Sequence, residues 1–223
     1  MQAAVLRARL VKWLPLFSEG RAEVVATAVV PMAIYGGLST GLPQRKRTAI
    51  RAACTTAVWG PGRAKRCPQL VSAFLTKGHR ADPSWALTFE RFQQLRRWCL
   101  TDTEMVPLLQ RAWELLPAPG AAPRAPEAMG PVGLIRHEAL SMGWDWSATP
   151  WAFLREGREP VALAGGPHGA FSHALRECIR HRELSAAARR RPDVEGAERA
   201  DRRAVYAALK WGAKRNSDIS GYQ

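Results

Sequence analysis

Paired carboxylates are missing from this chain. No Asp-Asp dipeptide occurs anywhere, and acidic residues number only 19 in 223. Chemistry that runs on two divalent ions needs facing carboxylates to hold them, so none is expected here, and Asp145, alone between two tryptophans, reads as a turn residue. Cysteine is sparse as well: Cys54, Cys67, Cys99 and Cys178 stand far apart without a Cys-x-x-Cys pair. That spacing indicates neither a zinc module nor a disulfide framework and fits a reducing interior. The longest apolar run, Val24 to Leu38, is too short for a bilayer. Met1 to Leu16 is basic and amphipathic and lacks the apolar centre of a signal peptide. The expectation is an intracellular protein, nuclear or cytoplasmic, with no membrane contact.

Other chemical signatures are absent too. His79, His137, His168, His173 and His181 form no His-Glu-x-x-His pattern, and His168 and His173 are spaced so that they fall on different helix faces. Gly165-Gly166-Pro167-His168-Gly169 has neither the Lys-Ser/Thr of a phosphate loop nor a dinucleotide fingerprint, and reads as a mobile connection. No catalytic residue, no metal ligand and no cofactor is predicted.

Positive charge is what the chain does have: 33 Lys plus Arg give a formal net charge of +14. An excess of that size favours polyanionic partners. It is uneven, with 17 basic against 7 acidic residues in 1–116 and 16 against 12 beyond, so phosphate contact is expected mainly in the first part. Arg45, Lys46, Arg47 and Arg51 crowd the start of one predicted helix, where cations oppose the helix dipole and an anion would relieve the conflict. Arg63, Lys65 and Arg66 follow a Gly-Pro-Gly turn and form the second candidate contact. Arg176, Arg180, Arg182, Arg189, Arg190 and Arg191 on a later helix stay undecided, because Glu177 and Glu183 lie among them.

Apolar periodicity predicts a mainly α fold. A first helix, Ala3 to Leu14, presents Val5, Leu6, Leu10, Trp13 and Leu14. A second runs from Ser18, a candidate cap, to Tyr35, kinked at Pro31 and ended by Gly36. A third covers Pro43 to Trp59, and shorter ones cover Pro68 to Thr76, Ser84 to Leu100 and Asp102 to Leu116. In the Ser84–Leu100 helix Phe89, Phe92, Leu95 and Cys99 form the apolar face, with Arg91, Arg96 and Arg97 outside it. Residues 117–131 carry Pro117, Pro119, Pro123, Pro126 and Pro131 and read as a linker. It divides a helical bundle at 1–116 from a smaller helical region at 132–223. The latter holds helices over Val132–Met142, His168–Arg191 and Val194–Trp211, and a β-hairpin turning at Glu156-Gly157-Arg158.

The ordered series Leu14-Pro15-Leu16, Val29-Val30-Pro31-Met32-Ala33-Ile34-Tyr35-Gly36, Ala57-Val58-Trp59-Gly60 with Arg63 and Arg66, and Gly78-His79-Arg80-Ala81-Asp82-Pro83 resembles the segment just after the polymerase core of non-LTR (LINE-like) retrotransposon reverse transcriptases. Gly130-Pro131-Val132-Gly133-Leu134, Gly143-Trp144 and Ala188-Arg189-Arg190 look like the region downstream of it. The resemblance implies a helical thumb that grips an RNA or DNA template-primer through its backbone, beside a palm domain that carries the metals. Pro31, Tyr35, Gly36, Trp59 and Gly60 would be structural positions of that motif. Without the aromatic-x-Asp-Asp hairpin of the palm, no polymerase activity is expected of this chain alone. Two other readings stay open: a helical scaffold or interaction module whose arginines are only solvated, and an enzyme with a site near Trp144 to His173.

Overall fold

Helix α1 (Gln2–Val11) packs through small residues. Ala4, Ala8 and Val11 are buried, whereas Leu6, Leu10 and Trp13 are 60, 67 and 75% exposed. The face expected to pack is thus the outer one: alanines let the α1 backbone approach α5 closely, and the larger side chains are turned to solvent. The computed structural model describes residues 1–59, 67–117, 130–201, 204–205 and 207. These are about 70% helical, with 11 α-helices and one small three-stranded sheet, in agreement with the mainly α expectation.

The second predicted helix is present as α2 (Ser18–Val24), a π turn (Val25–Val29) and α3 (Val30–Ile34). Pro31 has no N–H and its ring crowds the preceding turn. Widening that turn, with Val30 N–H donating to the Val25 carbonyl, lets the helix pass the proline. Ser18 is the first helical residue and makes no side-chain cap. Gly36, at φ +75°, ends α3 in the left-handed conformation that favours glycine. After α4 (Gly37–Thr40), α5 spans Gln44–Trp59, one residue inside the predicted limits. Next come α6 (Pro68–Leu70), a second π turn (Val71–Leu75) and α7 (Gly78–Ala81). Gly78 is fixed by packing, since a Cβ there would lie 2.5 Å from the Trp85 ring and 2.6 Å from the Ser72 carbonyl oxygen.

Helix α8 (Pro83–Thr101) is the axis of the molecule. Asp82 caps it, accepting from the amides of Ser84 at 2.9 Å and Trp85 at 3.3 Å, and Pro83 suits its first turn. Two hydrophobic cores meet on this helix. Ala86 and Leu87 join α1, the first π turn, α3 and α5 around Val25, Val29 and Ile50. Trp85, Phe92 and Leu95 join α9 (Met105–Glu114), α10 (Gly130–Ser141), the sheet and α11 (His168–Ala188). The second core draws on residues from both sides of 117–131, so the expected division there does not separate two cores; residues 118–129 lie outside the described set.

The sheet runs β1 (Trp144–Asp145), β2 (Ala152–Arg155), β3 (Arg158–Ala162), all antiparallel, with Phe153 opposite Val161. It contains the predicted hairpin plus one short strand. Trp144, Trp146 and Phe153 are fully buried and pack as tilted rings 5.2 Å apart, with Phe92 against them. They fill the region considered for an enzyme site as core. The last predicted helix is not formed at its start: residues 192–199 make two 3-10 turns, Pro192–Val194 and Ala197–Arg199. Pro192 and Gly196 interrupt a continuous ladder. The remainder of that predicted helix lies largely outside the described residues.

The polar side of α8 is also inside. Arg91 and Arg96, expected on the outer face, are only 4 and 3% exposed, while Arg97 is at the surface. Arg91 pairs with Glu138 of α10 and donates to the carbonyls of Gly37 and Leu38. Arg96 donates to the Gly166 carbonyl at 2.8 Å and lies over the Phe171 ring, which ties down the glycine connection before α11. Where a helix is packed on several sides, cations on the packed faces lose solvent, and backbone carbonyls supply acceptors instead. Removing one member of a buried ion pair costs about 3–5 kcal/mol. Arg91→Met is therefore expected to lower the urea midpoint sharply. Adding Glu138→Leu should recover only part of it, because the Leu38 carbonyl stays without a donor and the Gly37 carbonyl keeps only the Gly41 amide. Unchanged denaturation of the single variant would contradict this account.

Candidate nucleic-acid interface

The predicted cations of α5 split by helix position. Arg45 and Lys46 are exposed and Arg47 is half-buried, and among the described residues none of the three forms an ion pair. The Arg47 Nε atom is buried without a hydrogen-bond partner. No acidic residue stands in the first turn of α5, whose first amides have no intrahelical acceptors by helix geometry. Dipole, free amides and side chains thus present the same sign at one helix end.

Arg51, one turn further along, has a different environment. Its Nε donates to Asp82 Oδ2 at 2.6 Å and its Nη2 to Glu183 Oε2 at 2.7 Å. Ser72 Oγ donates to the same Asp82 oxygen at 3.0 Å, and Arg182 contacts Glu183 Oε1 at 3.1 Å. One guanidinium therefore joins α5, the α8 cap and α11. Burial works against its charge, yet the two carboxylates hold the Arg51 pKa above the ordinary arginine value. Glu183 shows the counterpart: burial pushes its carboxyl up, and Arg51 and Arg182 together outweigh that and hold it below the ordinary glutamate value.

Between α5 and α11 opens a cleft of about 580 Å³. Arg47 and Arg51 line one wall, and Arg182, Arg190 and Arg191 the other. Three of the five are held by carboxylates nearby, Arg51 and Arg182 as above and Arg191 by Asp193 at 2.6 Å. Arg190 uses only its Nε, donating to the Ala186 carbonyl at 3.2 Å. The α11 arginines that sequence left undecided thus divide. Arg180 donates to the Ala200 carbonyl at 2.6 Å and lies over Phe74, Arg182 is bound within the network, and Arg190 faces the cleft.

Of the remaining expected positions, Pro31 sits exposed in the first turn of α3, Tyr35 is 89% exposed beside Gly36, and Trp59 is at the end of α5. Gly60, Arg63, Lys65 and Arg66 lie outside the described residues. Asp145, expected as a turn residue, is the second residue of β1, and its carboxylate accepts from Ser147 Oγ at 2.8 Å. Burial pushes the thiols of Cys54 and Cys178 up and that of Cys99 up to about 11. Among the described residues no group of three or more His, Cys, Asp or Glu side chains could hold a metal ion, and no helix is long and apolar enough to cross a membrane.

Sequence reasoning missed the partners Asp82 and Glu183. Asp82 carried a local signal, the cap of Asp-Pro-Ser, but Glu183 is 132 positions from Arg51 and nothing in the chain announces that pairing. Because the folded state holds Glu183 below its unfolded pKa, its stabilisation is full above that value and is lost as the pH falls through the folded one. Glu183→Gln should therefore unfold more easily than the native chain at pH 7, and the gap should narrow as acid protonates the native carboxylate below about pH 4. Urea midpoints at both pH values measure this, and an equal gap at each would refute it. Comparison of the chain with protein-family models, curated proteins and solved structures gives no match.

Proposed function

We propose that this chain is a non-catalytic, thumb-like region of a non-LTR retroelement reverse transcriptase that binds RNA or DNA through backbone phosphates, within the cell. The observation that carries the proposal is the unpaired cationic start of α5, where Arg45, Lys46 and Arg47 stand with no carboxylate against them. The folded chain neutralises other arginines, Arg51, Arg91 and Arg182 among them, with acids. These three are left out of that arrangement at a helix end that already repels cations. An external polyanion removes the repulsion and gains charge-assisted hydrogen bonds.

The ordered motif residues Pro31, Tyr35, Gly36 and Trp59 support the retroelement assignment, and the net charge of +14 supports the class of partner. In this reading Arg51 is a positioning residue that fixes α5 against α8 and α11, and the contacts fall to its neighbours. The exposed apolar side chains Leu6, Leu10, Trp13 and Phe17 are then the face toward a palm domain. That same apolar strip favours a second reading, a helical interaction module whose basic surface is only solvated.

Salt separates the two. Binding of duplex or RNA–DNA hybrid should weaken linearly on a log–log plot, by about 0.9 in slope for each phosphate neutralised. Replacing Arg45 and Lys46 with glutamine should lower the slope by about 2 and leave the urea midpoint unchanged, since neither side chain has a folded-state partner. Absence of any complex in dilute buffer would establish the interaction-module reading instead.

A further inference from the structure

The cleft beside the basic helix start has a chemistry of its own. Arg47 from α5 and Arg190 from the end of α11 approach it from opposite walls with guanidinium capacity to spare. The Arg47 Nε is buried and unpartnered, and Arg190 commits only its Nε, to a carbonyl four residues back. The other three arginines of the lining are offset by Asp82, Glu183 and Asp193. Two positive charges are therefore left over, one on each side. A phosphomonoester carries about −1.5 to −2 charge near neutral pH and three acceptor oxygens, so it matches both the number and the opposed placement of these groups. A backbone phosphodiester, with one charge, matches only half.

The rest of the lining fits what such a phosphate is attached to. Ala52 on the α5 wall and Ala186 and Ala187 on the α11 wall add small apolar side chains, and Gln69 and Ser84 add polar groups. The volume of about 580 Å³ lies within the range of small-molecule sites, roughly 300–1,000 Å³. It is large enough for one nucleotide.

We propose that the α5–α11 cleft holds the phosphomonoester of a single nucleotide, either the phosphorylated end of a polynucleotide or a free nucleoside monophosphate. Arg47 and Arg190 grip the phosphate, and the space between Ala52 and Ala186 receives the sugar or base. As a seat for a strand end, the site rests on the phosphate-binding interface proposed above and adds recognition of a terminus to contact with the backbone.

The test is fluorescence anisotropy at low salt with one short single-stranded oligonucleotide carrying either a terminal phosphate or a hydroxyl, alongside calorimetric titration with AMP. The phosphorylated strand is expected to bind about tenfold more tightly. Arg190→Gln and Arg47→Gln should each abolish that preference, whereas Arg199→Gln, outside the cleft, should not. Tighter binding of the phosphorylated strand assigns the site to a polynucleotide end, and AMP binding sensitive to Arg190→Gln without end preference assigns it to the free nucleotide. Equal binding of both strands together with no AMP binding overturns the cleft proposal and leaves the backbone interface standing. AMP binding without any polynucleotide binding upholds the cleft and overturns the interface. Circular dichroism of both glutamine variants is expected to match the native chain, because neither lost group holds another element in place.

Discussion

The bridge from Arg51 to Asp82 and Glu183 is the constraint on which the arrangement of the molecule depends. It joins three segments that are far apart in sequence, with 31 positions between Arg51 and Asp82 and 132 between Arg51 and Glu183. Asp82 is bound twice over, since one oxygen caps α8 and the other accepts from Arg51 and Ser72. The helix start and the interhelical contact are therefore one structural event. A buried pair of this kind adds little net stability over an apolar replacement, and its value is in specifying one geometry. Here the geometry specified is the separation of α5 from α11, and with it the width of the cleft.

Helix α8 makes the same point through packing. Its residues serve two cores on different faces, and its arginines reach carbonyls or acids on neighbouring segments. The Tyr35-Gly36 stop is anchored in this way: Arg91 holds the carbonyls of Gly37 and Leu38 just beyond it. An apolar side chain at that position would leave the Leu38 carbonyl without its donor, at a cost of roughly 1–3 kcal/mol, while the Gly37 carbonyl would keep only the Gly41 amide. The basic composition is thus partly architectural, and net charge by itself overstates the surface available to a polyanion.

Local signals in the sequence led to most elements. Pro43 marked the start of α5, the apolar face of Phe89, Phe92, Leu95 and Cys99 marked α8, and Glu156-Gly157-Arg158 marked the β2–β3 turn. Misreadings came wherever tertiary packing chose between faces. In α1 the large apolar residues formed the obvious stripe, yet the small ones are buried, because close helix approach rewards alanine. In α8 the polar stripe read as solvent-facing, although acceptors supplied by distant segments draw it inside. For the candidate site, the exposed cations Arg45 and Lys46 were legible as a charge run. The distinction between them and Arg51 was not, because it depends on Glu183, which only the fold brings near.

That distinction shows how function would be apportioned among many similar side chains. A folded protein with a large cationic excess lowers its self-repulsion by pairing the charges it buries, and the unpaired remainder collects where the chain has no acid to offer. In this molecule the described remainder includes the start of α5 and the end of α11, on either side of one cleft. The two ends differ electrostatically: cations near a helix C-terminus are stabilised by the dipole, and those near an N-terminus are opposed by it. Arg190 therefore keeps its place without a ligand at no electrostatic loss, whereas Arg45, Lys46 and Arg47 gain most when an anion arrives. On the proposed reading, the α5 end supplies the salt-dependent part of the affinity, and the α11 end supplies a preset geometry against which one phosphate can be distinguished from another.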